Sequence, residues 1–248
     1  MSIVNADSID LEVLCEDGPL IAVNKPAGLL TQGVPQGHPT LEARVKAFLK
    51  QKYAKPGNVY LGVPHRLDRP VSGIVLFAKN SKAAARLAEQ FRERSVQKFY
   101  LAVTERVPDH PSGRLTDWLL KDALAAHVTV VEASAAGAKQ AELDYRVLAE
   151  RNGRALVEIE LHTGRMHQIR VQLASRGWNI VGDLQYGAAP TPHEAALSNQ
   201  LDSPIALHAR RLNLFHPIRY DRMSLEAPVP ANWIEYGFGI ESELTDQL

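Results

Sequence analysis

Residues 72–78 read Ser-Gly-Ile-Val-Leu-Phe-Ala, a run with no charge and no alternation of apolar and polar side chains. A strand-length run of that kind has no wet face. It predicts a strand buried on both sides near the centre of a sheet, so the rest of the chain must supply cover for two faces. The residues just before it have the opposite character. Asp68 sits among His65, Arg66 and Arg69, with Pro64 before the cluster and Pro70 after it. Two prolines stiffen the loop, and the apolar strand anchors its end. Such a loop either holds one carboxylate in a fixed place for chemistry or is a solvated turn with a surface ion pair.

Elsewhere the pattern alternates between short strands and a few helices. Residues 11–24 read as two strands joined at Asp17-Gly18-Pro19. The Gly- and Pro-rich stretch 24–40 reads as an ordered loop or a substrate-facing flap. Leu41, Val45, Phe48 and Leu49 have helical spacing over 41–53, with Thr40 as N-cap. A second helix is predicted over 82–94, with Ser81 as cap and Ala84, Leu87, Ala88 and Phe91 on its apolar face. Residues 97–103 alternate as a strand. Residues 141–149 and 154–162 read as a hairpin about Asn152-Gly153, 166–176 as a helix ending at Gly177, 188–204 as a variable loop and 205–214 as a strand. Strands outnumber helices and do not alternate strictly with them. The expected fold class is α+β, with a mixed, largely antiparallel central sheet flanked by helices.

At 248 residues with 45% apolar and 23% charged content, the chain can build a substantial core. One cysteine, Cys15, allows no internal disulfide and fits a reducing compartment. The N-terminus lacks the basic and apolar regions of a secretory signal. No run approaches the roughly 18 apolar residues of a membrane span. A cytoplasmic protein is expected. The formal net charge is zero, which taken alone argues against a nucleic-acid partner. Its distribution argues the other way. Residues 1–20 and 223–248 each hold five acids and no Lys or Arg, whereas 65–106 hold nine basic residues against four acids. Residues 151–176 and 206–222 are also basic, and arginine dominates each basic segment. Arginine-rich segments suit phosphate binding and base stacking, unless these side chains are scattered over unrelated faces.

Arg170 falls inside the apolar stripe Met166, Ile169, Leu173 and Ala174. A buried arginine needs a partner, because an unpaired buried charge costs several kcal/mol. That partner is either a structural acid such as Glu158 or Glu160, or Asp68, whose carboxylate the pair would keep ionised and oriented. Tyr100 shares a strand face with Lys98; it is either a half-buried sheet residue or a platform for a base or sugar. Metal chemistry has little support: His162 and His167 lack a carboxylate at ligand spacing, and no paired-cysteine element is present. No phosphate-cradling loop, dinucleotide fingerprint or hydrolase elbow occurs.

HRLDRPVSGIVLFAKN at 65–80 resembles the catalytic motif of the RluA-type pseudouridine synthases. VNKPAGLLT at 23–31, KFY at 98–100, the long stretch 161–187 and ALHARRLNLFHP at 206–217 resemble that family's other motifs, in the family's order. The resemblance implies isomerisation of uridine to pseudouridine in RNA, ribosomal or transfer, with no metal or organic cofactor. It implies Asp68 as the essential aspartate, Arg170 as its partner and Tyr100 as the tyrosine beside the target base. Arg66 matches a position that can enter the space left by a flipped-out nucleotide. In the basic active-site cleft so implied, RNA contacts are expected from Arg66, His65, Arg69, Lys98, Arg165, His167 and Gln168. Val71 and Met166 stand where threonine is common. The expected layout is an acidic extension over 1–19, a catalytic domain over 20–228 without an S4 domain, and an acidic tail over 229–248. The chain is expected to act as a monomer on RNA, not on DNA or a membrane.

Overall fold

The computed structural model describes residues 11–33, 39–122, 125–190 and 203–238. Ten strands form one sheet: β1 (Glu12–Asp17), β2 (Leu20–Lys25), β3 (Ser72–Ala78), β4 (Gln97–Thr104), β5 (Ser112–Lys121), β6 (Val128–Val131), β7 (Lys139–Arg151), β8 (Arg154–Leu161), β9 (Leu207–Phe215) and β10 (Arg222–Glu226). Their order is β1-β2-β3-β9-β4-β8-β7-β5-β6, with β10 paired to β9. Among the described residues only β3 and β9 run parallel; the other strand pairs are antiparallel. The sheet is therefore mixed and largely antiparallel, and the fold is α+β.

β3 is buried along its whole length, as its composition demands. Val75 and Phe77 enter one core beside Leu41, Val45 and Leu49 of α1 (Leu41–Lys52). Ile74, Leu76 and Ala78 enter a second core beside Ala83 and Leu87 of α2 (Ser81–Arg92). Gly73 permits the parallel pairing with β9. Its φ is +115°, and a Cβ there would lie 2.3 Å from the carbonyl oxygen of Ala209. Any side chain would push β3 off β9 and carry the charged loop with it.

Local signals fare unevenly. Thr40 caps α1, its hydroxyl accepting from the Ala43 N–H. Asn152 and Gly153 both have positive φ and close the β7–β8 hairpin. The cap of α2 is Asn80, not Ser81, since its carboxamide oxygen accepts from Ala83 N–H. That puts Ala83 on the buried face, while Ala88 is exposed. The third helix, α3 (Gln168–Ala174), starts two residues later than its apolar stripe suggests, because His167 takes a left-handed conformation at φ 51°. Met166 thus lies outside the helix, packed against a small cluster with Leu119, Val128, Ala141 and Val171.

At the N-terminal end, β1 pairs with β2 as a full member of the sheet. Beyond residue 228 the chain forms a 3-10 turn (Ala231–Tyr236) and buries Trp233 and Phe238 in the main core. Acidic composition at these ends masked two large apolar anchors. The expected loop over 188–204 falls mostly outside the described residues.

Candidate active site

The loop that carries Asp68 is clamped from behind by the segment after β2. Lys25 is fully buried, and its ammonium donates to the carbonyls of Pro26, Leu29 and Arg69 at 3.1, 2.7 and 3.1 Å. Burial pulls its pKa down to about 7, against the charge of Asp68. Three carbonyl acceptors match the three protons of an ammonium, and so favour the charged form. Arg69 turns the same way and donates through Nε to Gly28 O at 3.0 Å. Thr31 Oγ1 donates to Leu67 O at 2.9 Å and also accepts from Leu67 N–H. The described part of this Gly- and Pro-rich stretch therefore backs the Asp68 loop. Arg69, expected to face RNA, belongs to the clamp.

Asp68 emerges at a cavity of about 470 Å³, also lined by Arg66, Lys98, Tyr100, Arg165 and Arg170. Its side chain is 33% exposed, and two basic groups approach the same oxygen. Arg170 Nη1 lies 3.9 Å from Oδ2, and His167 Nε2 lies 3.8 Å from it. Arg170 is 3% exposed and its tight partner is another residue, Asp183. Nε donates to Asp183 Oδ2 at 2.7 Å and Nη2 to Asp183 Oδ1 at 2.6 Å; Nη2 also donates to Gln185 Oε1 at 2.9 Å. Burial opposes the guanidinium charge, but the bonds and charge of Asp183, aided by Asp68, raise its pKa above the ordinary value. The expected alternatives, Glu158 and Glu160, are not its partners: Glu158 pairs with Arg146.

Tyr100 reaches the cavity from β4. Burial, then the nearby charge of Asp68, pushes its phenol well above its ordinary pKa, so it is neutral near pH 7. Lys98, two residues earlier, is drawn down to about 8 by burial and then by Arg94. Arg66 is exposed at the mouth. Arg165 lines the wall while its Nε donates to Gln140 O at 3.0 Å.

Three other expected RNA contacts are committed internally. His65 Nε2 accepts from Leu76 N–H at 2.9 Å, and its ring stacks on Phe91 with centroids 4.7 Å apart. Burial, then Lys98, depresses its pKa to about 3, so it is neutral. Gln168 is buried; its Oε1 accepts from Thr163 Oγ1 and Arg165 N–H, and its Nε2 donates to Glu142 O. It shapes the turn that aims Arg165. His167 faces Asp68 on one side and Tyr186 on the other.

Asp183, Gln185, Tyr186 and Lys25 were not singled out from the sequence. The signal available for Asp183 was an isolated acid in the otherwise uncharged stretch after Gly177. Asp144, Glu160 and His162 could bring one ligand atom each within 4.8 Å of one another. Arg114 already holds both oxygens of Asp144, at 2.6 and 2.8 Å, and His162 Nε2 lies 2.8 Å from one of them.

The sequence pattern described as RNA pseudouridylate synthase matches residues 19–175. The chain belongs to the RNA pseudouridylate synthase family. Its members isomerise uridine to pseudouridine in RNA. "Ribosomal large subunit pseudouridine synthase D" of Zymomonas mobilis is 33% identical over 226 residues, which cover 90% of this chain and 70% of that protein. "tRNA pseudouridine synthase C" of Haemophilus influenzae is 32% identical over 235 residues, covering 90% and 95%. Among solved structures, "Human RNA Pseudouridylate Synthase Domain Containing 4" superposes with a TM-score of 0.74 at 26% identity, covering 90% of each chain. Among the described residues no helix of this synthase is long and apolar enough to cross a membrane.

Proposed function

We propose that this synthase acts on uridines in structured ribosomal or transfer RNA, with Asp68 as the reacting carboxylate. The observation that carries the reading is the setting of that carboxylate. It is rigidly backed, partly exposed in a cavity, and flanked by a neutral half-buried tyrosine and an arginine held elsewhere.

The reaction breaks the bond between N1 and C1′, turns the uracil and joins C5 to C1′. One proton leaves C5 and one arrives at N1, so no redox partner or group donor enters the balance. Asp68 serves as nucleophile or base toward the nucleoside. Arg170 stabilises its negative charge from 3.9 Å, and contacts of this length commonly tighten when substrate excludes water. Tyr100 packs beside the uracil, where its protonated phenol is a hydrogen-bond donor.

Six basic side chains line the cavity against the single acid Asp68, which supports a polyanionic substrate. Arg66, Lys98 and Arg165 are the contacts we assign to RNA; Arg66 at the mouth suits the gap left by a flipped nucleotide. We take a monomer as the working unit, and a ribosomal or transfer RNA substrate supports a cytoplasmic setting.

The test is incubation with transcribed ribosomal RNA fragments and with unmodified transfer RNA, followed by mapping of pseudouridine by mass spectrometry. Wild type should convert a defined uridine in one of them, and Asp68→Asn should not. Tight RNA binding without conversion would favour a non-catalytic RNA-folding role on the same scaffold.

A further inference from the structure

His167 is placed unlike any other histidine among the described residues. It sits between Asp68 and Tyr186 and caps α3 with φ 51°, a conformation that costs a non-glycine residue roughly 1–2 kcal/mol. It makes no side-chain capping bond there. Such strain persists where the surroundings over-determine it, often next to a reacting group.

The far side of the ring is specified by Tyr186. The Val128 N–H donates to the Tyr186 oxygen at 3.1 Å, and His167 Nδ1 lies 2.9 Å from the same oxygen. The phenol proton then finds its acceptor in Nδ1. A neutral imidazole that accepts at Nδ1 carries its proton on Nε2. Nε2 is the nitrogen 3.8 Å from Asp68 Oδ2. Tyr186 is itself held, stacked on His127 at 4.9 Å and with the Arg170 guanidinium 4.9 Å from its ring centre. Arg170 Nη1 also approaches Oδ2, at 3.9 Å.

We propose that His167 is a positioning residue for Asp68. Its Nε2–H, fixed by Tyr186, joins Arg170 in engaging Oδ2 and leaves Oδ1 as the oxygen that meets the nucleoside. The inference rests on Asp68 being the reacting carboxylate and deepens that reading: the two oxygens divide the work, and the chain Val128–Tyr186–His167 sets which is which. Burial, the largest influence on the ring, and positive Arg170 hold the imidazolium pKa below its ordinary value against Asp68 and Asp183, in keeping with a neutral donor.

Two measurements on the full chain decide it. The first needs no turnover: the ring nitrogen shifts of His167 by ¹⁵N NMR. Wild type should show a neutral ring protonated on Nε2, and Tyr186→Phe should lose that preference. A ring protonated on Nδ1, or a charged ring at pH 7, overturns the proposal. The second compares two replacements on an RNA that wild type modifies. Glutamine places an amide donor near the position of Nε2, while asparagine places one near Nδ1. Asparagine tolerates left-handed backbone better. If backbone shape were all that mattered, His167→Asn would be the milder change. The proposal expects the reverse: His167→Asn should lose on the order of 100-fold in kcat, and His167→Gln about tenfold less than that, with KM nearly unchanged in both. Asparagine outperforming glutamine, or a loss confined to KM, overturns it. If wild type modified no RNA, the proposed function would fall, while the ring nitrogens would still decide the role of His167.

Discussion

Asp183 and Asp68 face the same arginine under very different conditions. Asp183 is 1% exposed and grips Arg170 through both oxygens at 2.6 and 2.7 Å. Asp68 is 33% exposed and stands 3.9 Å from it. Arginine offers five donors in a rigid fork, so one edge can be fixed while another remains available. The tight pair spends its attraction on desolvation and geometry. The loose contact leaves a carboxylate that lines a cavity. The buried acid holds the arginine in place, and the arginine so held stands 3.9 Å from the carboxylate we propose to react.

The sharpest way to break this contrast is to neutralise each acid in turn. Asp68→Asn should lower kcat by at least about 10³ and leave stability within about 1 kcal/mol, read by urea denaturation. Asp183→Ala should do the opposite first. It strands a buried guanidinium, and the expected loss of stability is roughly 3–5 kcal/mol. Asp183→Asn, which keeps the shape and one acceptor, should recover part of it. Equal stability losses for Asp68→Ala and Asp183→Ala would show that the two acids are not functionally divided. A third change tests the clamp behind the loop. Lys25→Met leaves three carbonyls with an apolar neighbour, and should cost about 2 kcal/mol with a drop in kcat as the Asp68 loop loosens.

The contrast also shows which parts of the site could be read ahead of the structure. Residues 72–78 declared a doubly buried strand because their composition admits no wet face. Arg170 declared itself because a charge in an apolar stripe demands a partner. The identity of that partner was not legible. Asp183 lies beyond the end of α3, reached through a turn at Gly177 with no periodicity to follow. Glu158 and Glu160 were nearer in pattern, but each sits on the half-exposed face of β8. β5, β6 and β10 went unread since their outer residues are polar or half-exposed, and their burial depends on partners far along the chain. His65, Arg69 and Gln168 were read as RNA contacts from motif membership. Motif membership does not separate groups that touch substrate from groups that hold the loops. Only the direction of the hydrogen bonds does that, and it is a tertiary property.

The smallest expected effect concerns Lys98, the basic cavity residue whose charge is least secure. Its pKa is drawn down to about 8 by burial and Arg94, so it is positive below that pH and loses charge as pH rises through it. An arginine side chain does not titrate in that range. RNA affinity, followed by fluorescence anisotropy with a labelled hairpin, should therefore weaken between pH 7 and 9 by up to about fivefold, the worth of one partly screened ion pair near 1 kcal/mol. Lys98→Arg should flatten that dependence, since its charge no longer titrates. It should also keep the salt slope at pH 9, whereas wild type there should lose about 0.7 of a unit if the contact is to a single-stranded phosphate. The arginine variant controls for titration of the RNA itself, which affects both proteins alike. A pH dependence that survives Lys98→Arg would remove Lys98 from the RNA-contact set and leave it as a neutral wall of the cavity beside Tyr100.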